Sequence, residues 1–362
     1  MKLKRIFTGG VLFAVLSFLI TTAVFNLAAS PEITREETAF VSPLGVIGRL
    51  NLPSEVTAVA VHNEQLYAAG PDGFFVVDIA DPAKPLLQGS LNHSFGAARA
   101  VALSGHYALV SAGDNGLIIV DIADPTEPVC VHQQPLSSSA GPLIVRDHLA
   151  YIIVGEDSFA IWNVADPATP IYMGGEVDLV VEQFDLVGDY LYLVGNPMAD
   201  EMFYIAGALY IYDVSDPTQP EQIGADAFEA SNPYAPRFRS IAVQNQIAYV
   251  SATSRIGGTI WRYGVTDLTD PIRLAYTFYP LANQMLFVGD WLYTVSPYDT
   301  TVGQLSDTGD LHLVARYKGG GLLAGLAAQN GLVFTTAQSE LLILRPLSNQ
   351  IFLPVIMGAG EH

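Results

Sequence analysis

The chain has 362 residues, half of them hydrophobic and only 14% charged, which is ample apolar material for one large repeat domain. Its formal net charge is −20. The first thirty residues carry Lys2, Lys4 and Arg5 and no acid, so the remainder is more acidic still. A body of that charge is repelled by polyanions, and no nucleic-acid partner is expected. One cysteine, Cys130, rules out an intramolecular disulfide; within the apolar Val129-Cys130-Val131 it reads as a packed thiol.

Met1-Lys2-Leu3-Lys4-Arg5 is a basic start, and Val11 to Ala29 is almost wholly apolar. Residues 1–30 therefore read as a secretory signal or, if uncleaved, a signal anchor; either places the rest outside the cytoplasmic membrane. Membrane contact is expected only through that segment, if it is uncleaved. Residues 31–42 are polar and read as a linker.

From there the chain repeats one phrase. Phe74-Phe75-Val76-Val77-Asp78-Ile79-Ala80-Asp81-Pro82 returns as Leu117-Ile118-Ile119-Val120-Asp121-Ile122-Ala123-Asp124-Pro125. Further copies are Ala160-Ile161-Trp162-Asn163-Val164-Ala165-Asp166-Pro167 and Leu209-Tyr210-Ile211-Tyr212-Asp213-Val214-Ser215-Asp216-Pro217. Weaker copies centre on Asp267 and Asp307. The period lies between 42 and 50 residues in the four close copies. Each apolar run is a buried strand, and each Asp-Pro-x-x-Pro is a turn whose aspartate accepts backbone N–H groups. A metal role for these aspartates is disfavoured, because each falls on a different unit. Asp114-Asn115-Gly116 is likewise a hairpin turn, too short for a calcium loop.

Before each of these strands lies a hairpin, at Thr57–Gly70, Ala98–Gly113, Pro142–Gly155, Glu182–Gly195, Phe238–Ala252, Asn283–Ser296 and Leu323–Ala337. After the turn comes a fourth strand in which Gly or Ala follows the second proline by three intervening residues: Gly89, Gly174, Gly224, Ala275 and Ala315, with His132 as the departure. Seven units of four strands predict an all-β, seven-bladed β-propeller of antiparallel blades. The last unit runs out after its third strand, while Pro43-Leu44-Gly45-Val46-Ile47-Gly48-Arg49-Leu50 is an orphan fourth-strand pattern. The N-terminal strand is therefore expected to complete the last blade and remove its open edge. The rival, residues 350–357, carries Pro354 in its middle.

The Gly116-Leu117-Ile118-Ile119-Val120-Asp121 phrase resembles the LVIVD repeat family of bacterial and archaeal surface proteins, over about residues 43–347. The resemblance implies an extracytoplasmic β-propeller at the cell surface. It implies no common activity and supplies no catalytic residues.

His62, His106 and His148 fall in first-to-second-strand turns and read as surface residues; Gly-x-Ser-x-Gly and His-Glu-x-x-His motifs do not occur. The insertions are more informative. They cluster in units four to six, at residues 196–206, 228–237, 253–258 and 297–301, in connections that open on one propeller face. Phe203, Tyr204, Phe228, Tyr234, Arg237, Arg255 and Tyr298 give them the aromatic and charged make-up of a recognition patch. The expected function is a non-enzymatic, secreted or cell-surface binding module for a protein or glycan. No resident cofactor is expected. The runner-up is a metal-dependent propeller hydrolase or lactonase, with calcium as one candidate ion and with Glu182, Asp185 or Glu229 in the central channel. Residues 348–362 read as a tail with an apolar stretch, Ile351 to Met357.

Overall fold

The computed structural model describes residues 42–176, 180–197, 206–228, 235–254, 257–319 and 321–347, and all their regular structure is strand. The first blade is β2 (Ala58–His62), β3 (Gln65–Gly70), β4 (Gly73–Asp78) and β5 (Leu86–Asn92). The second is β6 (Ala100–Ser104), β7 (Tyr107–Ser111), β8 (Leu117–Asp121) and β9 (Val129–Gln134). The third is β10 (Ala140–Arg146), β11 (Leu149–Val154), β12 (Ser158–Asn163) and β13 (Ile171–Glu176). The fourth is β14 (Gln183–Val187), β15 (Tyr190–Gly195), β16 (Ala208–Asp213) and β17 (Glu221–Ala227). The fifth is β18 (Arg237–Gln244), β19 (Ile247–Ser254), β20 (Gly257–Gly264) and β21 (Ile272–Phe278). The sixth is β22 (Gln284–Val288), β23 (Trp291–Val295), β24 (Asp299–Leu305) and β25 (Leu311–Lys318). The seventh joins β26 (Leu323–Gln329), β27 (Leu332–Ala337) and β28 (Glu340–Pro346) to β1 (Ser42–Asn51).

Each blade is an antiparallel meander, and β1 is the outer strand of the seventh, as the orphan pattern predicts. It pairs antiparallel with β28 from Leu44↔Pro346 to Asn51↔Glu340. Its first two residues also pair parallel with β25, Ser42↔Ala315 and Pro43↔Arg316, which stitches the sixth blade to the seventh. The rival closing segment, residues 350–357, lies outside the described residues.

The third strands are buried almost throughout, as in β4 and β8, because each lies inside its blade with neighbouring blades against both faces. That burial is why the repeated phrase is a continuous apolar run instead of an alternating one. Fourth strands are outermost and alternate with exposed positions. Every fourth strand also carries a register shift, beside its small residue in six blades and beside His132 in the second, for example between Val76 and Val77 opposite Gly89. In β1 the shift falls between Val46 and Gly48, so Gly48 occupies the Gly89 position although it stands one residue later in the pattern.

The small residue has a steric reason. A Cβ on Gly48 would meet the Pro82 carbonyl oxygen of the next blade's turn, one on Gly89 that of Pro125, one on Gly174 that of Pro217, and one on Gly224 that of Leu268. These four fourth strands thus press their backbone onto the turn of the next blade, and there the two halves of the repeated motif are one inter-blade contact.

The turn aspartates are structural. Asp124 Oδ1 accepts the Thr126 N–H at 2.9 Å and its hydroxyl at 2.6 Å; Asp216 does the same with Thr218 and Asp267 with Thr269. Asp78, Asp121 and Asp213 form a second such turn upstream by accepting from Ala80, Ala123 and Ser215. The sixth unit departs from the sequence reading: Asp310, not Asp307, serves its turn, accepting the Thr308 hydroxyl at 2.7 Å while its N–H donates to Ser306 Oγ.

Hydroxyl and N–H donors hold the carboxyls of Asp124, Asp166, Asp216 and Asp267 below the usual range. A depressed folded-state pKa gives stability that is full above the unfolded value, near 3.9, and is lost as pH falls through the folded value. The melting temperature is therefore expected to drop between about pH 5 and pH 2. Replacing all four aspartates by Asn should flatten that drop in scanning calorimetry; an unchanged slope refutes the assignment.

Candidate functional site

The first strands ring the axis and enclose a channel of about 1000 Å³. Thr57, Arg99, Glu182 and Asn283 each donate a backbone N–H to the neighbouring strand at the same point, just ahead of β2, β6, β14 and β22. Pro142, Arg239 and Gly325 sit at the register shifts of β10, β18 and β26 and complete a circle of one residue per blade. This circle is the channel mouth. It opens on the face where fourth strands return to first strands, which is also the face of the insertions.

Glu182 and Asp185 both line the channel, as expected, while Glu229 lies outside the described residues. Glu182 is approached by Arg239 at 4.0 Å and accepts from Asn196 Nδ2 at 3.2 Å. Asp185 points from β14 to β18, where its Oδ2 accepts the Val243 N–H at 2.7 Å; its Oδ1 accepts the Leu186 N–H at 2.8 Å. Burial pushes the Asp185 carboxyl above the usual range, and the two N–H donors oppose that shift. Its residue reaches the channel surface while the carboxyl itself is enclosed, so it acts as a strut between the fourth and fifth blades. Among the described residues, no group of three or more His, Cys, Asp or Glu is placed to hold a metal ion.

The insertions of the fourth and fifth blades share one base. Gly207 N–H donates to Pro236 O at 2.8 Å and Phe228 N–H donates to Gly207 O at 3.0 Å. Asn196 straps this base to β18: it is buried, donates to Phe238 O at 2.8 Å and accepts from Phe238 N at 2.7 Å. Phe203, Tyr204, Tyr234 and Arg255 lie outside the described residues. Phe228 is half-buried within the base, its ring edge-on to Trp261 and Phe238 and covered by the Arg273 guanidinium at 3.8 Å. Arg273 is in turn held by Asp226 in a bidentate pair at 2.6 and 2.9 Å. Phe228, expected in the recognition patch, is therefore packed into the base instead of offered to a partner.

Arg237 and Tyr298 are exposed on this face. Tyr298, 68% exposed, stands on a turn closed by Ser296 N–H to Asp299 O at 2.8 Å and tied to the blade by Gly319 N–H to Tyr298 O at 2.8 Å. The Arg316 guanidinium grips Asp299 through two bonds of 2.8 Å. The ring is thus an exposed aromatic on a fixed backbone, which lowers the ordering cost of a contact.

On the opposite face, His106 and His148 share a cleft of about 120 Å³ between the second and third blades. Ser104 Oγ lies 3.4 Å from His148 Nδ1 there. Their spacing in sequence places them on one face but does not reveal that they line one cleft, since the cleft is formed across blades. Cys130 is half-buried, and burial raises its thiol pKa, which accords with a packed thiol.

Comparison with known proteins agrees with this architecture. The LVIVD repeat family matches residues 55–93, 95–133 and 201–225. The β-propeller domain of Cps50 (Swd1) from Myceliophteria thermophila is 14% identical, with 84% of this chain and 100% of that chain covered at a TM-score of 0.63. A chain of the mitotic checkpoint complex is 12% identical, covering 90% and 99% at a TM-score of 0.64. The computationally designed Ika8 protein is 13% identical, covering 85% and 99% at a TM-score of 0.53. At these identities the likeness is one of fold alone. No curated protein matches the chain in sequence.

Proposed function

We propose that this chain, an LVIVD-repeat β-propeller, is a non-enzymatic binding module of the cell envelope, exported by its N-terminal segment. Its partner is a protein or glycan met by the insertion-rich face of the fourth to sixth blades. The observation that carries this reading is the shared base of the two long insertions beside a rigidly mounted, exposed Tyr298. An aromatic held ready at a loop-rich surface is the residue type that dominates binding energy. The basic start and the apolar run from Val11 to Ala29 support the location.

Cell-envelope fractions immobilised on a sensor test the reading with the full chain. Tyr298→Ala should weaken capture by about tenfold, as loss of a central aromatic anchor does, without moving the melting temperature. Lys84→Ala, on the opposite face, should leave capture unchanged. Equal losses in both variants, or none in Tyr298→Ala, would sink the assignment of this face.

A further inference from the structure

We propose that the channel mouth is a subsite for the carboxylate of an acidic sugar, a deepening that rests on the reading of the insertion-rich face as the ligand-binding surface. The circle of Thr57, Arg99, Pro142, Glu182, Arg239, Asn283 and Gly325 has two arginines, on the second and fifth blades, on either side of the axis. Acids outnumber Lys and Arg by 36 to 16 in this chain, and five of the seven other described arginines show the consequence, Arg237 and Arg345 being the exceptions. Arg49, Arg146, Arg262, Arg273 and Arg316 each hold a carboxylate. Arg99 forms no ion pair among the described residues, and Arg239 has only the long 4.0 Å approach to Glu182. Glu182 in turn is shared with Asn196. A guanidinium left open at the axis offers two parallel N–H donors, the fork that fits a carboxylate.

The walls favour a sugar over a bare anion or a peptide end. Thr57, Gln183, Asn283 and Gln284 line the channel near the mouth with hydroxyl and amide groups, which donate and accept together as vicinal sugar hydroxyls require. Below them the wall turns apolar at the partly exposed Val101 and Ile144, giving the C–H face of a sugar ring a surface to lie against. The volume of about 1000 Å³ is at the upper end for small-ligand sites, large enough for a sugar unit with its next neighbour. The protein's overall negative charge gives no long-range attraction to such a ligand, so recognition is local and falls on Arg99 and Arg239.

Titration calorimetry of the full chain with glucuronate, glucose, acetate and inorganic phosphate decides the matter. Glucuronate should bind, with glucose and acetate each weaker by about tenfold or more, and its affinity should fall as sodium chloride is raised. Arg99→Gln and Arg239→Gln should each weaken glucuronate by about tenfold at an unchanged melting temperature, while Arg345→Gln on β28 should not. Absence of glucuronate binding, equal affinity for glucose, or indifference to both channel substitutions overturns the subsite. Phosphate or acetate binding as tightly as glucuronate overturns the sugar assignment and leaves a plain anion pocket. If glucuronate fails while Tyr298→Ala still weakens envelope capture, the subsite alone is lost; if both fail, the reading of the whole face falls with it.

Discussion

Deletion of residues 42–51 is expected to abolish cooperative unfolding of the monomer. β1 contributes Leu44, buried at 4% exposure, and the partly buried Val46, Ile47 and Leu50 to the cores on either side of the seventh blade. At roughly 1.5–3 kcal/mol for each fully buried side chain, less for a partly buried one, their loss comes to about 6 kcal/mol. That is comparable with the whole stability of a typical domain, about 5–15 kcal/mol. The deletion also strips β28 of its partner along the stretch from Leu44↔Pro346 to Asn51↔Glu340 and removes the bridge to β25. An exposed strand edge then invites pairing between molecules. Size-exclusion chromatography should show aggregates, and calorimetry should show a broad or absent transition. Leu44→Asp is the milder arm: a carboxylate buried at that position should cost about 3 kcal/mol or more while the chain still closes. A deleted chain that stays monomeric and melts sharply would show that closure resides elsewhere.

Gly224→Val is expected to destabilise the protein by about 3 kcal/mol or more through a single contact between the fourth and fifth blades. The added Cβ would lie 1.9 Å from the Leu268 carbonyl oxygen, a backbone atom that no rotamer change can move aside. The two blades must therefore separate locally, and the loss spreads to Ile223 and Leu268, both packed on the core between them. The melting temperature should fall by about 6 °C or more. Gly321→Ala is the control, since nothing lies within 4 Å of the Cβ it would add. If Gly224→Val melts with the wild type, the small residue of each fourth strand is not there for the neighbouring turn.

The fold was largely legible in the sequence because its signals are local and repeated. Continuous apolar runs such as Leu117–Val120 report strands covered on both faces, and the Asp-Pro turns report hydrogen bonds that close within two or three residues. Seven hairpins and one orphan fourth strand then leave one way to pair every edge. The displaced glycine of β1 was legible only as a departure, because the bulge that puts Gly48 opposite Ile343 is set by pairing with β28. The sixth turn was read one aspartate early for a similar reason: Asp310 is selected by its partners Thr308, Ser306 and Arg262, the last from another blade.

The candidate site divides along the same line. Length alone placed the insertions on one face, and composition alone marked Tyr298 and Arg237 within them. That Phe228 would turn inward beneath Arg273, and that Asp185 would be spent on the Val243 N–H, depends on atoms 45 and 58 residues away in the chain. Nothing in the sequence aligns Arg99 with Arg239, since each is an isolated arginine in its own strand. The repeat, the blade count and the closing strand can be read from the chain, because every unit carries the same local strand and turn signals and one fourth-strand pattern is left over at the start. Which polar side chains ring the channel mouth is not legible there, because that circle takes one residue from every blade and exists once the ring has closed.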